Sequence, residues 1–181
     1  MESKTITTIF DVMKWIIGFS ILLTLSVPNN VEASNVEITK DPMQDLTRLR
    51  YDAASKPYLI RGVVTGDRKK VQLYIVHSYY GDARYTTASV RWIDGTLKRP
   101  ELYDVDTDFD CTGSRYLGCR KTIHKVIKIT PESWMQLVNW SRKKPNGSLA
   151  VQLQSDTVGE VFDFNVDAKH ISIFNEEYIK H

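Results

Sequence analysis

Hydrophobic and polar residues alternate with a period of two through much of this chain, which is the pattern of β-strands. The pattern predicts strands over 57–65 and 84–93, each followed by a turn sequence, GDRK and DG respectively. Between them, 71–80 is apolar in both alternating sets: Leu73 and Ile75 belong to one set, and Tyr74 belongs to the other. A strand with two apolar sides is covered on both faces, so 71–80 is predicted to be a central strand.

The apolar spacing becomes helical after residue 130. Thr130 is a suitable N-cap, and Pro131 suits the first helical position because its missing N–H would have no partner there. One apolar stripe follows at helical spacing, formed by Trp134, Leu137 and Val138. The turn sequence PNG then predicts the end of this helix.

The C-terminal part of the chain predicts a hairpin and a second helix. Residues 148–155 and 160–167 both alternate cleanly and are close in sequence, so they are expected to pair. From Asp167 onward the apolar residues fall at helical intervals, at Ile171, Phe174 and Tyr178. Helices that follow a strand-rich region favour an α+β fold, with a mostly antiparallel β-sheet and one or two helices packed on one face.

The first 33 residues differ from the rest and are predicted to be a signal peptide. Lys4 and Lys14 precede the uncharged apolar stretch 15–27, which is too short to cross a bilayer as a helix. Pro28 follows, and small residues then predict cleavage after Ala33. The expected product is exported and is periplasmic or secreted. The alternative is an uncleaved segment kept as an anchor, which would be the protein's one attachment to a membrane.

The exported part is predicted to contain a loosely ordered lead-in, 34–56, and one β-rich domain, 57–181. The whole chain carries a formal charge of +2, which becomes +3 when the charges of the signal segment are removed. So small a charge gives no indication of a nucleic-acid partner, because such proteins carry a clustered basic surface.

Both cysteines lie in the stretch DFDCTGSRYLGCRKT, which we interpret as the end of a hairpin. Residues 103–111 alternate without a break, with Asp104, Asp106, Asp108 and Asp110 on one side. If Cys111 faces Cys119, then aspartates face Arg120, Thr122 and His124, and Tyr103 faces Ile127. Directly opposed strand residues lie within disulfide range, and exported proteins oxidise such pairs. The pair is therefore predicted to form a structural disulfide.

Other uses of the cysteines fit the spacing less well. A redox centre usually has the spacing C-x-x-C, whereas seven residues intervene here. Zinc would need Cys111, Cys119 and His124 with His170 or His181, without paired spacing. Calcium loops beginning at either of the first two aspartates lack the required glycine and glutamate. No metal and no cofactor is predicted.

The succession QLYIVHSYYG, IDG, YDVDTDFDCTGSRYLGC and VIKIT resembles a group of small exported bacterial proteins of unknown function. The resemblance covers residues 57–166. It implies export and a disulfide, and it implies no activity, ligand or catalytic residue.

Motifs of catalysis are missing from the sequence. There is no G-x-S-x-G, and the S-x-x-K match at 141–144 lacks its companion boxes. A pair of Asp106 with His124 would raise the pKa of the histidine but has no nucleophile beside it in the sequence. A non-catalytic protein is therefore expected, with an envelope hydrolase as the remaining alternative.

Aromatic residues give the only indication of a binding surface. Tyr79, Tyr80 and Tyr85 flank the turn GDA, and Trp92 follows on what is expected to be the neighbouring strand. Rigid rings with polar tips favour recognition of proteins or sugars. The sequence thus predicts a binding module of the cell envelope. Its expected partner is another envelope or extracellular protein, and a carbohydrate or peptidoglycan ligand is the alternative.

Overall fold

A computed structural model describes residues 36–112 and 118–181, and in them the chain forms ten strands and two helices. The helices are α1 (Pro131–Lys143) and α2 (Ala168–Tyr178). The strands are β1 (Val36–Asp41), β2 (Leu46–Asp52), β3 (Tyr58–Thr65), β4 (Arg68–Tyr80), β5 (Tyr85–Arg91), β6 (Leu97–Lys98), β7 (Leu102–Asp110), β8 (Arg120–Ile129), β9 (Ser148–Ser155) and β10 (Val161–Asp167).

The strands form two sheets, and every strand pairing is antiparallel. The larger sheet has the order β1-β2-β3-β4-β8-β7, and the smaller one has the order β10-β9-β5-β6. The main core contains inward side chains of both sheets together with the apolar sides of the two helices. The predicted α+β fold with a mostly antiparallel sheet is confirmed.

Strand β4 lies at the centre of the larger sheet, between β3 and β8, as its pattern predicted. On one side Leu73 and Ile75 are buried in the main core. On the other side Tyr74 is buried with Leu59 and Val126 in a smaller cluster. The two alternating sets of β4 therefore face two separate apolar environments, which explains why the strand is apolar on both sides.

The predicted loosely ordered lead-in is wrong for residues 36–52, because they form β1 and β2 at the edge of the larger sheet. In β2 the side chains of Leu49 and Tyr51 are buried in the core, while Arg48 before them and Arg50 between them are exposed. Two buried apolar side chains are enough to dock this strand. They made too short an alternating run to be recognised in the sequence.

Strand β5 does not lie beside β4, contrary to the expectation for the aromatic segment. It leaves the larger sheet and pairs with β9 and β6 in the smaller one. A turn of four residues joins the two strands, and the chain passes there from one layer of the core to the other. The rings of 79–85 and the ring of Trp92 are thus at opposite ends of β5.

Helix α1 has the predicted boundaries. The Thr130 side chain accepts a hydrogen bond from Ser133 N, Pro131 stands in the first turn, and the stripe of Trp134, Leu137 and Val138 is buried. A basic pair, 142–143, lies in the last turn, where it interacts favourably with the negative end of the helix dipole.

Helix α2 confirms the helical interpretation of the tail. Ile171, Phe174 and Tyr178 are buried in the main core. The two helices pack together through Trp134, whose Nε1 donates to Asn175 Oδ1 at 3.2 Å and whose ring meets the Phe174 ring edge-on at 5.6 Å.

The described residues belong to one compact unit, and the predicted signal segment, 1–33, lies outside them. In the part of the chain that is described, no helix has the length and apolar content needed to cross a membrane.

Candidate functional site

The cysteine hairpin is formed by β7 and β8, and Cys111 is bonded to Cys119 with their Cα atoms 4.2 Å apart. The predicted register is confirmed next to the disulfide, where Asp110 pairs with Arg120. It is also confirmed farther along, where Asp108 pairs with Thr122 and Asp106 with His124. Residues 113–117, between the cysteines, lie outside the described residues.

The register prediction is wrong beyond Asp106, because a β-bulge shifts the pairing between Asp104 and Asp106. Tyr103 therefore faces Val126 and not Ile127. An extra residue reverses the side to which the following side chains point. As a result, Asp104 does not share a side with the other aspartates and instead forms an ion pair with the buried Lys125.

Most of the acidic run is paired with groups on β8. Asp108 lies 3.0 Å from His124 Nε2, and Asp110 lies 3.4 Å from Arg120 Nη2. Among residues 36–112 and 118–181, no group of three or more potential ligand side chains is arranged to hold a metal ion. The acidic side of β7 is therefore a charge-paired surface of an edge strand.

His124 is part of a hydrogen-bonded row that crosses three strands. Its Nδ1 is 3.0 Å from Tyr74 Oη, and its Nε2 is 3.0 Å from Asp108. The predicted partner was Asp106, which faces His124 in the strand register but is not its hydrogen-bond partner. The guanidinium of Arg61 lies 3.8 Å from the centre of the Tyr74 ring. With its ring nitrogens held by a phenol and a carboxylate, the histidine ties β4, β8 and β7 together.

The predicted binding aromatics separate into buried and exposed residues. Tyr79 and Tyr85 are only 9% and 1% exposed, and their rings meet edge-on at 5.3 Å inside the core. Tyr79 Oη donates a hydrogen bond to the carbonyl of Ala83, which satisfies its polar tip inside the turn. Because the chain changes sheets at this turn, both rings point between the layers. They are core residues in this structure.

Tyr80 and Trp92 remain accessible but are far from each other in the fold. Tyr80 is 49% exposed and lies on the uncovered side of the larger sheet. Trp92 is partly buried, with its Nε1 donating to Gln136 of α1 at 3.1 Å and the Nζ of Lys98 3.9 Å from the centre of its ring. The four aromatic residues therefore form no single surface.

The buried tyrosines surround His77, a histidine for which no role was predicted from its position on the central strand. Its ring stacks on Phe162 with centroids 3.6 Å apart and on Tyr79 at 5.3 Å, and it meets Tyr85 edge-on. Burial among these rings lowers the pKa of His77, against a smaller opposing effect of the Glu160 charge. The group is packed as a neutral aromatic ring.

A cavity of about 420 Å³ lies between the two sheets, and we call it the intersheet cavity. Strands β4, β5, β8 and β9 and helix α1 supply its floor. The floor consists of buried apolar side chains, namely Leu73, Val90, Ile127, Leu137, Leu149 and Val151. These residues belong to the main core, so the cavity is a gap in the packing of the two layers.

The mouth of the intersheet cavity is polar and aromatic. Lys98 ends β6, Arg99 and Glu101 come from the segment that connects β6 to β7, and Lys128 comes from β8. The ring of Tyr103 lies beside them, with the Nζ of Lys128 3.7 Å from its centre and its hydroxyl donating to Glu101. The cavity lining thus contains three cations and one carboxylate.

The sequence analysis missed this cavity because its wall comes from six separate segments of the chain. Of the predicted site residues it includes only Trp92. The one feature in the sequence that could have indicated the cavity is the basic pair 98–99, which lies in a turn-rich segment between predicted strands. Nothing in that pattern indicates a gap behind it.

Comparison with known proteins adds no relative: no family model matches this chain, and neither a curated protein nor a solved structure shows significant similarity to it.

Proposed function

We propose that this chain is an exported, non-catalytic binding module of the cell envelope, and that the intersheet cavity is its ligand site. The cavity itself is the observation that carries the proposal. Its volume of about 420 Å³ falls within the range of small-molecule sites, about 300–1,000 Å³. Such sites are mostly apolar and have a few polar groups that orient the ligand, which describes this floor and mouth. A small ligand with an apolar body fits these properties.

Export is supported by the leader-like order of residues 1–33 and by the bonded cysteines. Disulfides persist in oxidising compartments outside the cytosol. Intact mass of the protein from its own host tests this part. We expect a chain that begins at Ser34 and is alkylated only after reduction. A mass that retains Met1, or thiols that alkylate at once, would contradict export.

A non-catalytic role is supported by how the histidines are used. The hydrogen bonds shown for His124 and His170 run to tyrosine and aspartate side chains, and His77 is packed between rings. Acyl transfer needs a base beside a serine or cysteine nucleophile. The only cysteines are joined in the disulfide and are not available as nucleophiles.

The surface first predicted for binding has less support. With Tyr79 and Tyr85 buried, a protein or sugar would meet Tyr80 alone at the turn after β4. The ring of Trp92 is already occupied by the Lys98 ammonium. An apolar cavity offers a ligand far more buried contact than one exposed ring, so the geometry favours the cavity.

The test is binding of a neutral apolar fluorophore, N-phenylnaphthylamine, to purified protein. Val90 lies on the cavity floor, so Val90→Phe fills the cavity, whereas Val158→Phe adds the same bulk at an exposed turn. We expect saturable binding by the wild type and V158F, and a loss of about tenfold or more in V90F. Ser133→Trp, at the mouth, serves as a second blocking variant if V90F does not fold. Absence of saturable binding, or unchanged binding by folded blocking variants, would refute the site.

A further inference from the structure

We infer that the ligand of the intersheet cavity is an amphiphile with a carboxylate head, held by Lys98 and Arg99 at the mouth. The inference rests on the proposed function, because it assumes that the cavity binds a ligand. It specifies the chemical class of that ligand.

The wall of the cavity carries a net positive charge. Three cations and one carboxylate give the lining an excess of two positive charges, all of them at the mouth. The charge of Lys98 acts on Asp94 at a distance, but among the described residues no carboxylate lies within 4 Å of the charged nitrogens of Lys98, Arg99 or Lys128. Unneutralised cations beside an apolar space favour an anion that they can bind while the rest of the ligand enters the space.

The one carboxylate of the lining, Glu101, already has a hydrogen-bond partner. Glu101 accepts a hydrogen bond from the Tyr103 hydroxyl, which keeps its carboxylate on the tyrosine. The lysines are placed on rings, Lys98 on Trp92 at 3.9 Å and Lys128 on Tyr103 at 3.7 Å. A ring attracts a cation without neutralising it, so both ammonium groups keep their charge for a ligand.

The N-terminal end of helix α1 lies at the mouth of the cavity. Thr130 and Ser133, at the N-terminal end of α1, belong to the lining. Glu132, in the first turn of α1, offsets part of the field at this helix end. The positive end of the helix dipole nevertheless adds to the field of the side chains. It acts in the same direction as the lysines, and an anionic head group is favoured over a neutral or cationic one.

The experiment compares ligands that share one apolar chain and differ in the head. Decanoate and decyltrimethylammonium, each below its micelle concentration, and decanol, below its solubility limit, are used to displace N-phenylnaphthylamine from the full chain. We expect decanoate to bind about tenfold more tightly than decanol, the effect of one charge-assisted hydrogen bond, and decyltrimethylammonium to bind more weakly than both.

Matched variants locate the effect. Lys98→Gln/Arg99→Gln removes two cations at the mouth, while Arg142→Gln/Lys143→Gln removes two exposed cations at the far end of α1. The first pair should abolish the preference for decanoate over decanol. The second pair should behave like the wild type, which separates a local site from net charge.

The possible failures have different meanings. If decanoate and decanol bind wild type equally, or if the preference survives in K98Q/R99Q, the carboxylate inference is wrong and the cavity remains a ligand site. If neither compound displaces the fluorophore, the inference is wrong as well. If the fluorophore itself does not bind, the proposed function fails with it.

Discussion

Gly62 lies directly beneath the ring of Phe174: a Cβ at position 62 would be 2.8 Å from Cζ of that ring. The Tyr178 ring would be equally close, at 2.9 Å. Both rings belong to α2, and Gly62 is in β3. The missing side chain is therefore what allows the helix to rest on the larger sheet.

Gly62→Ala should lower the free energy of unfolding by about 1–3 kcal/mol, because a fully buried aromatic ring has little room to move away. Urea unfolding measures this cost. The double variant Gly62→Ala/Phe174→Leu is the control, since removing the Phe174 ring relieves one of the two collisions and leaves the one with Tyr178. We expect the two changes together to cost less than the sum of their separate costs, and strict additivity would contradict the explanation.

Two buried tyrosines should respond oppositely to loss of the hydroxyl. Tyr58 Oη is 2.7 Å from His170 Nδ1 and accepts a hydrogen bond from Asp167 N at 3.1 Å. Tyr85 Oη is buried and makes no hydrogen bond of regular geometry with a described group, although the Glu160 carboxyl group is close enough to interact with it. Tyr58→Phe leaves the backbone N–H of Asp167 without its acceptor and should lower the free energy of unfolding by about 1–3 kcal/mol. Tyr85→Phe should leave the free energy of unfolding unchanged or raise it.

Chemical unfolding of these two variants side by side provides the check, because each is the control for the other. Equal losses of stability would contradict the assignment. A spectrophotometric titration adds a second observation: burial, reinforced by the charge of Glu160, raises the pKa of Tyr85 to about 12. Ionisation of Tyr85 at pH 10, the ordinary value for tyrosine, would contradict its burial.

The buried His77 should make the protein less stable in acid. Because burial lowers the pKa of His77 in the folded state, the unfolded chain binds the proton more readily. The stability that the fold gains from packing neutral His77 is fully present above the pKa of the unfolded chain, about 6.5. It is lost as the pH falls toward the lower pKa of His77 in the folded state. His77→Phe keeps the ring stacking and removes the titration. We expect its stability to fall less than that of wild type between pH 7 and pH 5, and parallel pH profiles would argue against this role.

Removal of the disulfide should weaken the fold without affecting the cavity. Cys111→Ser/Cys119→Ser opens a loop whose ends are 8 positions apart, which costs about 2.5 kcal/mol in the chain-entropy model. Neither cysteine lines the intersheet cavity, so affinity for N-phenylnaphthylamine should be unchanged. Reductant should bring wild type to the stability of the double variant and leave the variant as it is. A loss of binding on reduction would show that hairpin and cavity are coupled.

Local pairing was the part of this fold that the sequence predicted well. Opposite charges in 108–110 and 120–122 set the hairpin register, and alternation set the pairing of β9 with β10. The bulge before Asp106 escaped prediction because the residues of 103–111 alternate in polarity without a break. Its cause is tertiary: Tyr103 packs with Val126 on one side of the sheet while Leu102 packs against the core on the other.

The candidate site was beyond prediction for a different reason. Whether Leu73, Leu137 and Val151 meet or leave a gap depends on the distance between layers that are far apart in sequence. Tyr79 and Tyr85 are buried for a similar reason, because β5 pairs in the smaller sheet and not beside β4. A turn sequence indicates that the chain reverses, but it does not indicate to which layer the chain returns.

The order of the strands along the chain has a consequence for folding. The larger sheet receives β1 to β4, then β5 and β6 go to the smaller sheet, β7 and β8 return, and β9 and β10 complete the smaller one. Neither sheet is contiguous in sequence, so a fragment that contains every strand of one sheet also contains two strands of the other. The central strand β4 is complete only when β8 pairs with it, and this pairing closes a loop of 39 residues between Tyr80 and Arg120. Such long-range closure makes folding slow relative to local hairpins, and the two layers should form and melt together as one cooperative unit.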